Sequence, residues 1–234
     1  MASYFDQFNV ILVVGEYFTN VSISILFGVF CLLAVSPSPH LVPNRVDTVW
    51  SMLLYHWREL ILDNVGKDGI RYLPGILSLF ILLLILNLLG FFPYTYTVTA
   101  QVVVTFALSF TIVMAVTVEG ILKFKMDFFS MWMPQGAPMM LAPLLVVIET
   151  VSYFSRALSL GLRLAANISA GHLLMLILGS FTLKLALAGV LSLTLIALII
   201  TVCVVLLEVA VAVIQAYVFC LLVCVYLSDT TNLH

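Results

Sequence analysis

An arginine, an asparagine and a histidine interrupt a long apolar stretch of this 234-residue chain, at Arg163, Asn167 and His172. An arginine at the centre of a membrane helix costs about 3 kcal/mol on insertion scales. A chain keeps such a residue where it faces a polar cavity or a partner charge. The three side chains are therefore candidates for a functional site, and the rest of the sequence has to supply their partners.

Further polar side chains recur every seven residues in the same region: Glu149, Arg156 and Arg163 in one run, and Glu208 and Gln215 in the next. A spacing of seven returns to nearly the same helix face, with a drift of about 20°. The spacing therefore predicts one polar face on each of two neighbouring helices.

These residue types suit proton transfer. The pKa values of glutamate and histidine side chains can be moved into a working range by burial and by neighbouring charges. Arginine does not release its proton, so Arg163 would make a poor relay and a good barrier. The alternative is that Glu149, Arg156, Arg163 and Glu208 neutralise one another as structural ion pairs. That alternative is weaker for the whole set, because apolar side chains would serve a purely structural role at lower cost.

The composition identifies the class of protein. Hydrophobic residues make up 64% of the chain and charged residues 9%, against about 25% charged residues in soluble domains. The mean hydropathy is +1.24. The apolar runs are continuous rather than alternating, which favours helices over a β-barrel. The formal net charge of -2 gives no reason to expect a nucleic-acid partner.

Cofactor and metal chemistry is not expected. All four cysteines (Cys31, Cys203, Cys220 and Cys224) lie in apolar segments without a metal-type cluster, and we expect buried free thiols. No two histidines on apolar spans are spaced for haem ligation, and the sequence contains no phosphate-binding loop. Phosphoryl chemistry is therefore not expected in this chain.

The sequence divides into five parts. They are an N-terminal segment with a first span at Asn20 to Val35 (1–43), an amphipathic membrane-surface helix (44–72), a pair of transmembrane helices (73–120), a polar loop (121–138) and a long helical hairpin (139–234). In the surface helix, apolar residues recur at helical spacing among charged ones, and Trp50 and Trp57 suit the membrane interface. The predicted fold is an all-α polytopic membrane protein with about five membrane-embedded helices.

The C-terminal hairpin is predicted from the absence of helix breakers. The runs from Met139 to Phe181 and from Leu185 to Leu227 contain no proline beyond Pro143. Unbroken helices of that length would be about 64 Å long, roughly twice the thickness of the hydrocarbon core. Either each run breaks into two conventional spans, or both are single, steeply tilted helices. We favour the second possibility, with the bend near Gly179 to Lys184.

Basic residues predict the sidedness of the chain. Lysines and arginines concentrate in the segments 36–72 and 119–138, which lie on the same side in a five-span arrangement. That side is therefore predicted to be the inside, and the bend of the hairpin the outside. Glu149 and Asp229 then lie towards the inner end, and His172 lies nearer the outer face.

The stretch from Arg163 through Asn167 to His172 closely resembles the signature of subunit a of the rotary F-type ATP synthase, in its mitochondrial form. Supporting matches are Asn87-Leu-Leu-Gly90-Phe-Phe-Pro93, Ile148-Glu149-Thr150-Val151-Ser152, and Glu208 with Gln215. The resemblance covers most of the chain from about Ile76 onward. In bacterial members a glutamate stands at the position of His172 and a histidine at that of Glu208, so the arrangement here is the mitochondrial one.

The resemblance implies a proton-translocating stator subunit of the Fo sector, with two half-channels beside a ring of c subunits. It assigns His172, Glu208, Asn167 and Gln215 to the outer half-channel, and Glu149 and Asp229 to the matrix one. Arg163 would keep a passing ring carboxylate ionised and would block direct proton leak. Arg156, Ser152 and Asn87 are expected to line or support these paths. The implied partners are the c-ring, the peripheral stalk subunit b, other Fo subunits and lipid of the mitochondrial inner membrane.

Two other classes of protein remain as alternatives. An ion-coupled secondary transporter would usually show inverted repeats and interrupted helices, and neither is visible. A structural or quinone-site subunit of a respiratory complex would tolerate the substitution Arg163→Ala with only modest loss. A variant of the first interpretation is coupling to sodium, because ion selectivity depends largely on the surroundings of the ring carboxylate.

Overall fold

The structure is a computed structural model that describes residues 8–14, 18–35, 44–91, 95–125 and 142–231. Within these ranges the chain is almost entirely helical. The helices are α1 (Asn20–Val35), α2 (Arg45–Asn64), α3 (Leu73–Leu89), α4 (Val102–Phe124), α5 (Ala142–Leu187) and α6 (Leu191–Thr231), with short 3-10 turns at Lys67–Tyr72 and Val98–Ala100. The all-α, polytopic fold class is confirmed.

Four helical segments are long and apolar enough to cross a membrane, by length and composition. They are Lys67–Leu89, Val102–Phe124, Pro143–Leu187 and Leu191–Thr230, and the apolar helix Asn20–Ala34 is shorter. Together they correspond to the predicted set of about five membrane-embedded helices. The sequence did not predict one small feature, an antiparallel pair of strands at β1 (Leu12–Val14) and β2 (Phe18–Thr19).

Helix α2 is amphipathic, as its sequence predicts. Its first turn is fixed by a capping box, in which the Asn44 side chain accepts from the backbone and the Asp47 carboxylate accepts from the Asn44 N–H. Trp57 and Ile61 are buried against the rest of the molecule, whereas the charged Arg58 and Glu59 are exposed, as are the apolar Val49 and Met52. This distribution agrees with a helix that packs on the bundle along one side.

The two long helices of the C-terminal hairpin are unbroken. Helix α5 has 46 residues and α6 has 41, which correspond to lengths of about 69 and 62 Å. Since the hydrocarbon core is about 30 Å thick, helices of this length must be steeply tilted to remain within a membrane. The interpretation of each run as one helix rather than two spans is therefore confirmed.

The predicted position of the bend was wrong. Helix α5 continues through Gly179 and Lys184, and the turn falls at Gly189, which has a φ of 77°. Glycine is tolerated inside a helix but is strongly favoured in the left-handed conformation that ends one. The Gly189 N–H donates to the Ala186 carbonyl at 3.2 Å, which closes the last turn. Lys184 lies in that turn, where a cation is favourable.

The helix pair before the hairpin differs slightly from the predicted bounds. The predicted pair at 73–120 consists of α3, which begins at Leu73 as predicted and ends at Leu89, and α4, which begins at Val102. Helix α4 continues to Phe124, four residues beyond the predicted end of the pair. The predicted polar loop at 121–138 therefore starts as helix, and most of it lies outside the described residues.

Close packing of α4 on α5 determines which face of α5 stays free. A methyl group on Gly161 would lie 3.0 Å from the Thr105 carbonyl oxygen and 3.1 Å from the Phe106 Cα. On the same face, the Ser109 hydroxyl donates a hydrogen bond to the carbonyl of Ala157. Because this face of α5 is covered by α4, the side chain of Arg163 is directed away from the bundle and is exposed.

Candidate functional site

His172 on α5 and Glu208 on α6 face each other in the interior of the hairpin. Only 8% of His172 and 5% of Glu208 is exposed. The distance between His172 Nδ1 and Glu208 Oε1 is 3.9 Å, which is longer than the 2.7–3.2 Å typical of a hydrogen bond. The structure therefore brings two predicted relay residues together at a separation just beyond hydrogen-bond distance.

Helix α3 supplies the third wall around this pair. Asn87 is 1% exposed, and its side-chain amide donates to the Ala212 carbonyl, one turn after Glu208, at 3.1 Å. The Phe91 ring lies 5.6 Å from the His172 ring. Asn87, which the sequence assigned to a lining role, therefore lies beside α6 at the level of the His172–Glu208 pair.

Several polar atoms in this region are buried without a hydrogen-bond partner among the described residues. They are Asn87 Oδ1, His172 Nε2 and both carboxylate oxygens of Glu208. Buried polar groups in folded proteins are nearly always paired, and a concentration of unpaired ones calls for a functional explanation. A site that takes up and passes on protons requires free donors and acceptors of this kind.

A second polar pair joins the same two helices closer to the open end of the hairpin. Arg156 Nη1 donates to Asp229 Oδ2 at 3.0 Å. Both side chains are partly exposed, at 39% and 47%. The sequence had assigned Asp229 to the inner proton path and Arg156 only to support, and it did not predict that they would pair.

Two tyrosines beside this pair were missed. Tyr226 is 9% exposed and lies within electrostatic range of Arg156, Arg163 and Asp229. The Tyr153 hydroxyl is buried without a hydrogen-bond partner among the described residues. Their positions, three residues before Asp229 and Arg156, place them one helical turn away. That spacing was the signal in the sequence that could have identified them.

Arg163 stands between the two pairs. It lies nine residues from His172 and seven from Arg156 on α5, or about 13 and 10 Å along the axis. Its side chain is exposed, and the contact it makes is a long hydrogen bond of 3.5 Å from Nη2 to Ser159 Oγ.

Arg163 makes no ion pair with a carboxylate among the described residues. The ion pairs in those residues are Lys123–Asp68 and Arg156–Asp229, and the His172–Glu208 contact at 3.9 Å becomes a third when His172 is protonated. In the described residues Arg163 is therefore not neutralised by Glu149 or Glu208, as the structural alternative would require. Arg156, in contrast, is paired with Asp229.

The remaining candidates lie on the same helices but outside these contacts. Glu149 and Ser152 are half-buried on α5, Gln215 is half-buried on α6, and Asn167 is exposed on the face of α5 that carries Arg163. None of the four forms a side-chain hydrogen bond or ion pair with either polar pair in the described part of the chain. Their assignment to proton paths therefore stays a prediction.

The described residues contain no group of three or more histidine, cysteine, aspartate or glutamate side chains that could hold a metal ion. Cys220 and Cys224 are buried thiols, as predicted. For Cys203 and Cys31 the prediction of burial was wrong, since Cys203 is exposed and Cys31 is half-buried. Both lie on apolar helix faces that the described residues leave partly or wholly uncovered.

Comparisons with known proteins cover nearly the whole chain. Residues 17–228 match the family described as ATP synthase A chain. The chain is 50% identical to ATP synthase subunit a of Metridium senile over 234 residues, which is 100% of this chain and 99% of that protein. It is 39% identical to ATP synthase subunit a of Rhodospirillum rubrum over 221 residues, 93% of this chain and 90% of that protein. A subunit a of Bartonella bacilliformis is 37% identical over 222 residues, 92% of this chain and 88% of that protein.

Proposed function

Because the chain belongs to the family of ATP synthase subunit a, the proton-translocating subunit of the Fo sector, we propose that its two polar pairs belong to two separate half-channels. The His172–Glu208 pair serves the outer half-channel and Asp229 the inner one. Arg163 lies between them and prevents protons from passing directly. The observation that carries this proposal is the exposed Arg163, which has no carboxylate partner among the described residues and lies between two polar pairs on a largely apolar hairpin.

In the outer half-channel, protons reach the ring through His172 and Glu208. A proton on the imidazolium of His172 moves to the carboxylate of Glu208, which leaves a neutral imidazole and a carboxylic acid. The acid then gives its proton to a carboxylate of the c-ring and becomes a carboxylate again. The burial of the pair keeps this exchange away from bulk water, and the unpaired oxygens of Glu208 are free to accept the proton. By the family resemblance, Asn167 and Gln215 extend the same path.

Arg163 acts on the ring rather than within its own subunit. Its guanidinium lies on a face of α5 where small side chains, among them Ser159, Ala166 and Ala170, are exposed. A neighbouring helix can approach such a face closely, and an unpaired cation there favours the ionised form of an approaching carboxylate. The partner that fits this face is therefore the c-ring, whose carboxylate must lose its proton as it passes Arg163.

On the inner side, the ring carboxylate releases its proton towards Asp229 and Glu149. Asp229 is held by Arg156 at 3.0 Å, and Ser152 lies on α5 between Glu149 and Arg156. The half exposure of Arg156 and Asp229 is consistent with access from an aqueous side, in contrast to the buried outer pair. A membrane potential delivers about 2.3 kcal/mol for each proton per 100 mV, which is the free energy available for rotation of the ring.

The proposed location is the mitochondrial inner membrane. The arrangement of a histidine at position 172 and a glutamate at position 208 resembles the mitochondrial form of the family, and the chain is multi-pass by length and hydropathy of its helices. The large exposed apolar side chains on α1, α4, α5 and α6 fit contacts with lipid, with the peripheral stalk subunit b and with other Fo subunits.

The proposal is tested by the substitution Arg163→Ala in the assembled complex. We expect ATP-driven proton pumping in membrane vesicles to be lost and passive proton leak to rise, because the barrier between the two paths has been removed. Arg45→Ala is the matched control, since Arg45 is an exposed arginine at the start of α2, about three turns before His56 and Trp57, which contact Tyr217 of the hairpin. The amount of assembled complex is measured for both variants.

Intact, coupled pumping in assembled Arg163→Ala complexes would contradict the proposal and favour a structural subunit. Loss of pumping without a leak would contradict the barrier role of Arg163. Its proposed action on the ring carboxylate would still account for the loss of pumping.

A further inference from the structure

The carboxylate of Glu208 lies directly against the backbone of α5 at Gly171. A Cβ atom placed on Gly171 would lie 2.6 Å from Glu208 Oε1, 2.9 Å from Cδ and 3.0 Å from Cγ. Non-bonded carbon atoms normally approach no closer than about 3.5 Å. The position that Glu208 occupies is therefore available only because residue 171 has no side chain.

The surroundings leave the carboxylate little room to move elsewhere. Glu208 is 5% exposed, and Ala212 one turn later is fully buried. Asn87 bonds to the Ala212 carbonyl on the side of α3, and His172 lies 3.9 Å away on α5. A side chain at position 171 has no open space to occupy. It would therefore displace the Glu208 carboxylate relative to His172.

Not every glycine of α5 is required by its surroundings. Gly179, eight residues after Gly171, has no neighbouring atom of the described residues within 4 Å of the corresponding Cβ position. Alanine is favoured over glycine in a helix interior by about 1 kcal/mol. Intrinsic helix propensity therefore favours alanine at both positions. Of the two, only Gly171 has a close neighbour, Glu208, that opposes a larger side chain.

We propose that Gly171 is a positioning residue for proton transfer: the space left by its missing side chain fixes the Glu208 carboxylate beside His172. This inference rests on the proposed role of the His172–Glu208 pair in the outer half-channel. At 3.9 Å the two groups are just beyond hydrogen-bond distance, so a displacement of the carboxylate away from His172 changes whether the proton can pass. Gly171 itself neither binds nor releases a proton.

The glycine on the other side of the pair is a poorer test of this idea. A Cβ on Gly90 would lie 3.3 Å from His172 Nε2, but it would also overlap the methyl group of Thr97. A substitution there would disturb the 95–97 segment as well as His172. Gly171 is the cleaner position, because the three nearest atoms to its Cβ all belong to Glu208.

The test combines Gly171→Ala with a compensating shortening of its neighbour, Glu208→Asp. Aspartate lacks one methylene group, so its carboxylate is drawn back by roughly 1.5 Å. We expect Gly171→Ala to lower the ATP-driven proton-pumping rate of the assembled complex by about threefold to tenfold, the effect of forcing one side chain off its preferred rotamer. In the Glu208→Asp background, where the shorter side chain leaves room for a methyl group, Gly171→Ala is expected to slow pumping by less than about twofold.

Gly179→Ala is the matched control, with an expected change in pumping rate of less than about twofold, as for substitutions that touch no neighbour. All rates are normalised to the amount of assembled complex. If Gly171→Ala fails to assemble, the double variant decides: recovery of assembly by Glu208→Asp supports the contact, and failure to recover overturns the inference. A purely structural role of Gly171 would not respond to the length of the side chain at position 208.

The inference is overturned if Gly171→Ala pumps like Gly179→Ala, or if Gly171→Ala slows pumping as much in the Glu208→Asp background as it does beside Glu208. Glu208→Gln distinguishes this outcome from failure of the proposed function. If Glu208→Gln leaves pumping intact, the outer half-channel assignment fails together with the inference. If Glu208→Gln abolishes pumping while Gly171→Ala does not slow it, only the role of Gly171 is wrong.

Discussion

Arg156 and Arg163 lie seven residues apart on one helix, yet their surroundings give them different chemistry. Arg156 has a carboxylate partner at 3.0 Å, whereas Arg163 has a single long hydrogen bond to a hydroxyl group. A paired guanidinium stabilises a neighbour within the subunit, and an unpaired one is free to act on a group that approaches from outside. The proposed barrier role therefore belongs to Arg163 and not to Arg156.

This difference predicts a modest effect for Arg156→Gln. Partly exposed ion pairs contribute about 0.2–1 kcal/mol, which corresponds to a change in rate of roughly 1.4-fold to fivefold. We expect the rate of ATP-driven pumping to fall within that range, with no rise in passive leak. Lys184→Gln, which removes an exposed cation near the other end of α5, serves as the control. A leak comparable to that of Arg163→Ala would assign part of the barrier to Arg156.

At the scale of residues, the polar side chains that stand in apolar surroundings could be predicted and their pairings could not. Arg163, His172 and Glu208 were recognisable because each is costly in a membrane helix. The pairing of Arg156 with Asp229 depends on how α5 and α6 are aligned, which a spacing along one helix does not determine. The role of Gly171 could not be predicted for a further reason. The importance of a glycine depends on which neighbouring atoms occupy the space of the missing side chain, and the sequence does not give those atoms.

At the scale of elements, the bend between α5 and α6 depends on the backbone of one residue. Gly189 has a φ of 77°, and, its chain neighbours aside, no atom of the described residues lies within 4 Å of a Cβ placed on it. We expect Gly189→Ala to destabilise the hairpin by about 1 kcal/mol through backbone strain alone. The measurement is the thermal midpoint of inactivation of the purified complex.

Gly179→Ala provides the comparison for Gly189→Ala, because Gly179 is helical and equally free of neighbours. It is expected to leave the thermal midpoint unchanged or to raise it slightly. Equal midpoints for the two variants would show that the positive φ at the bend carries no cost.

Helix lengths were better predicted than helix ends. The absence of proline beyond Pro143 was enough to favour two unbroken helices, and both are present. The bend was misplaced because glycine occurs at 179 and at 189, and only the tertiary structure decides which one leaves the helix. The β1–β2 pair was missed because strands of three and two residues are too short for an alternating pattern to be recognised.

At the scale of the whole molecule, one hairpin carries polar groups at three depths. His172 lies towards the bend, Arg163 at the middle, and Arg156 with Asp229 towards the open end, so that the two pairs are about 24 Å apart along α5. The fold class and this order of depths followed from the sequence, since hydropathy and position along a helix determine both. The packing of α3 against α6, which encloses the outer pair, did not follow from it, because it depends on contacts between residues more than 100 positions apart, such as Asn87 and Ala212.

The proposed pair of half-channels predicts how two substitutions combine. Glu208→Gln should stop pumping without a leak, since in this proposal the outer path is interrupted while Arg163 still separates the two paths. Arg163→Ala should leak, since both paths then meet. In the double variant Glu208→Gln/Arg163→Ala, the leak should fall back towards that of Glu208→Gln, because protons can no longer reach the gap left by Arg163.

Passive proton flux across vesicles of equal complex content is the measurement for these three variants. A leak in the double variant equal to that of Arg163→Ala would mean that the protons bypass Glu208. The outer half-channel would then have to enter the hairpin along another route, and the buried His172–Glu208 pair would be a structural contact between α5 and α6. If the leak disappears instead, Glu208 and Arg163 lie in series on one proton path. Because the two residues are on separate helices and at different depths, that path must then cross the hairpin from α6 to α5.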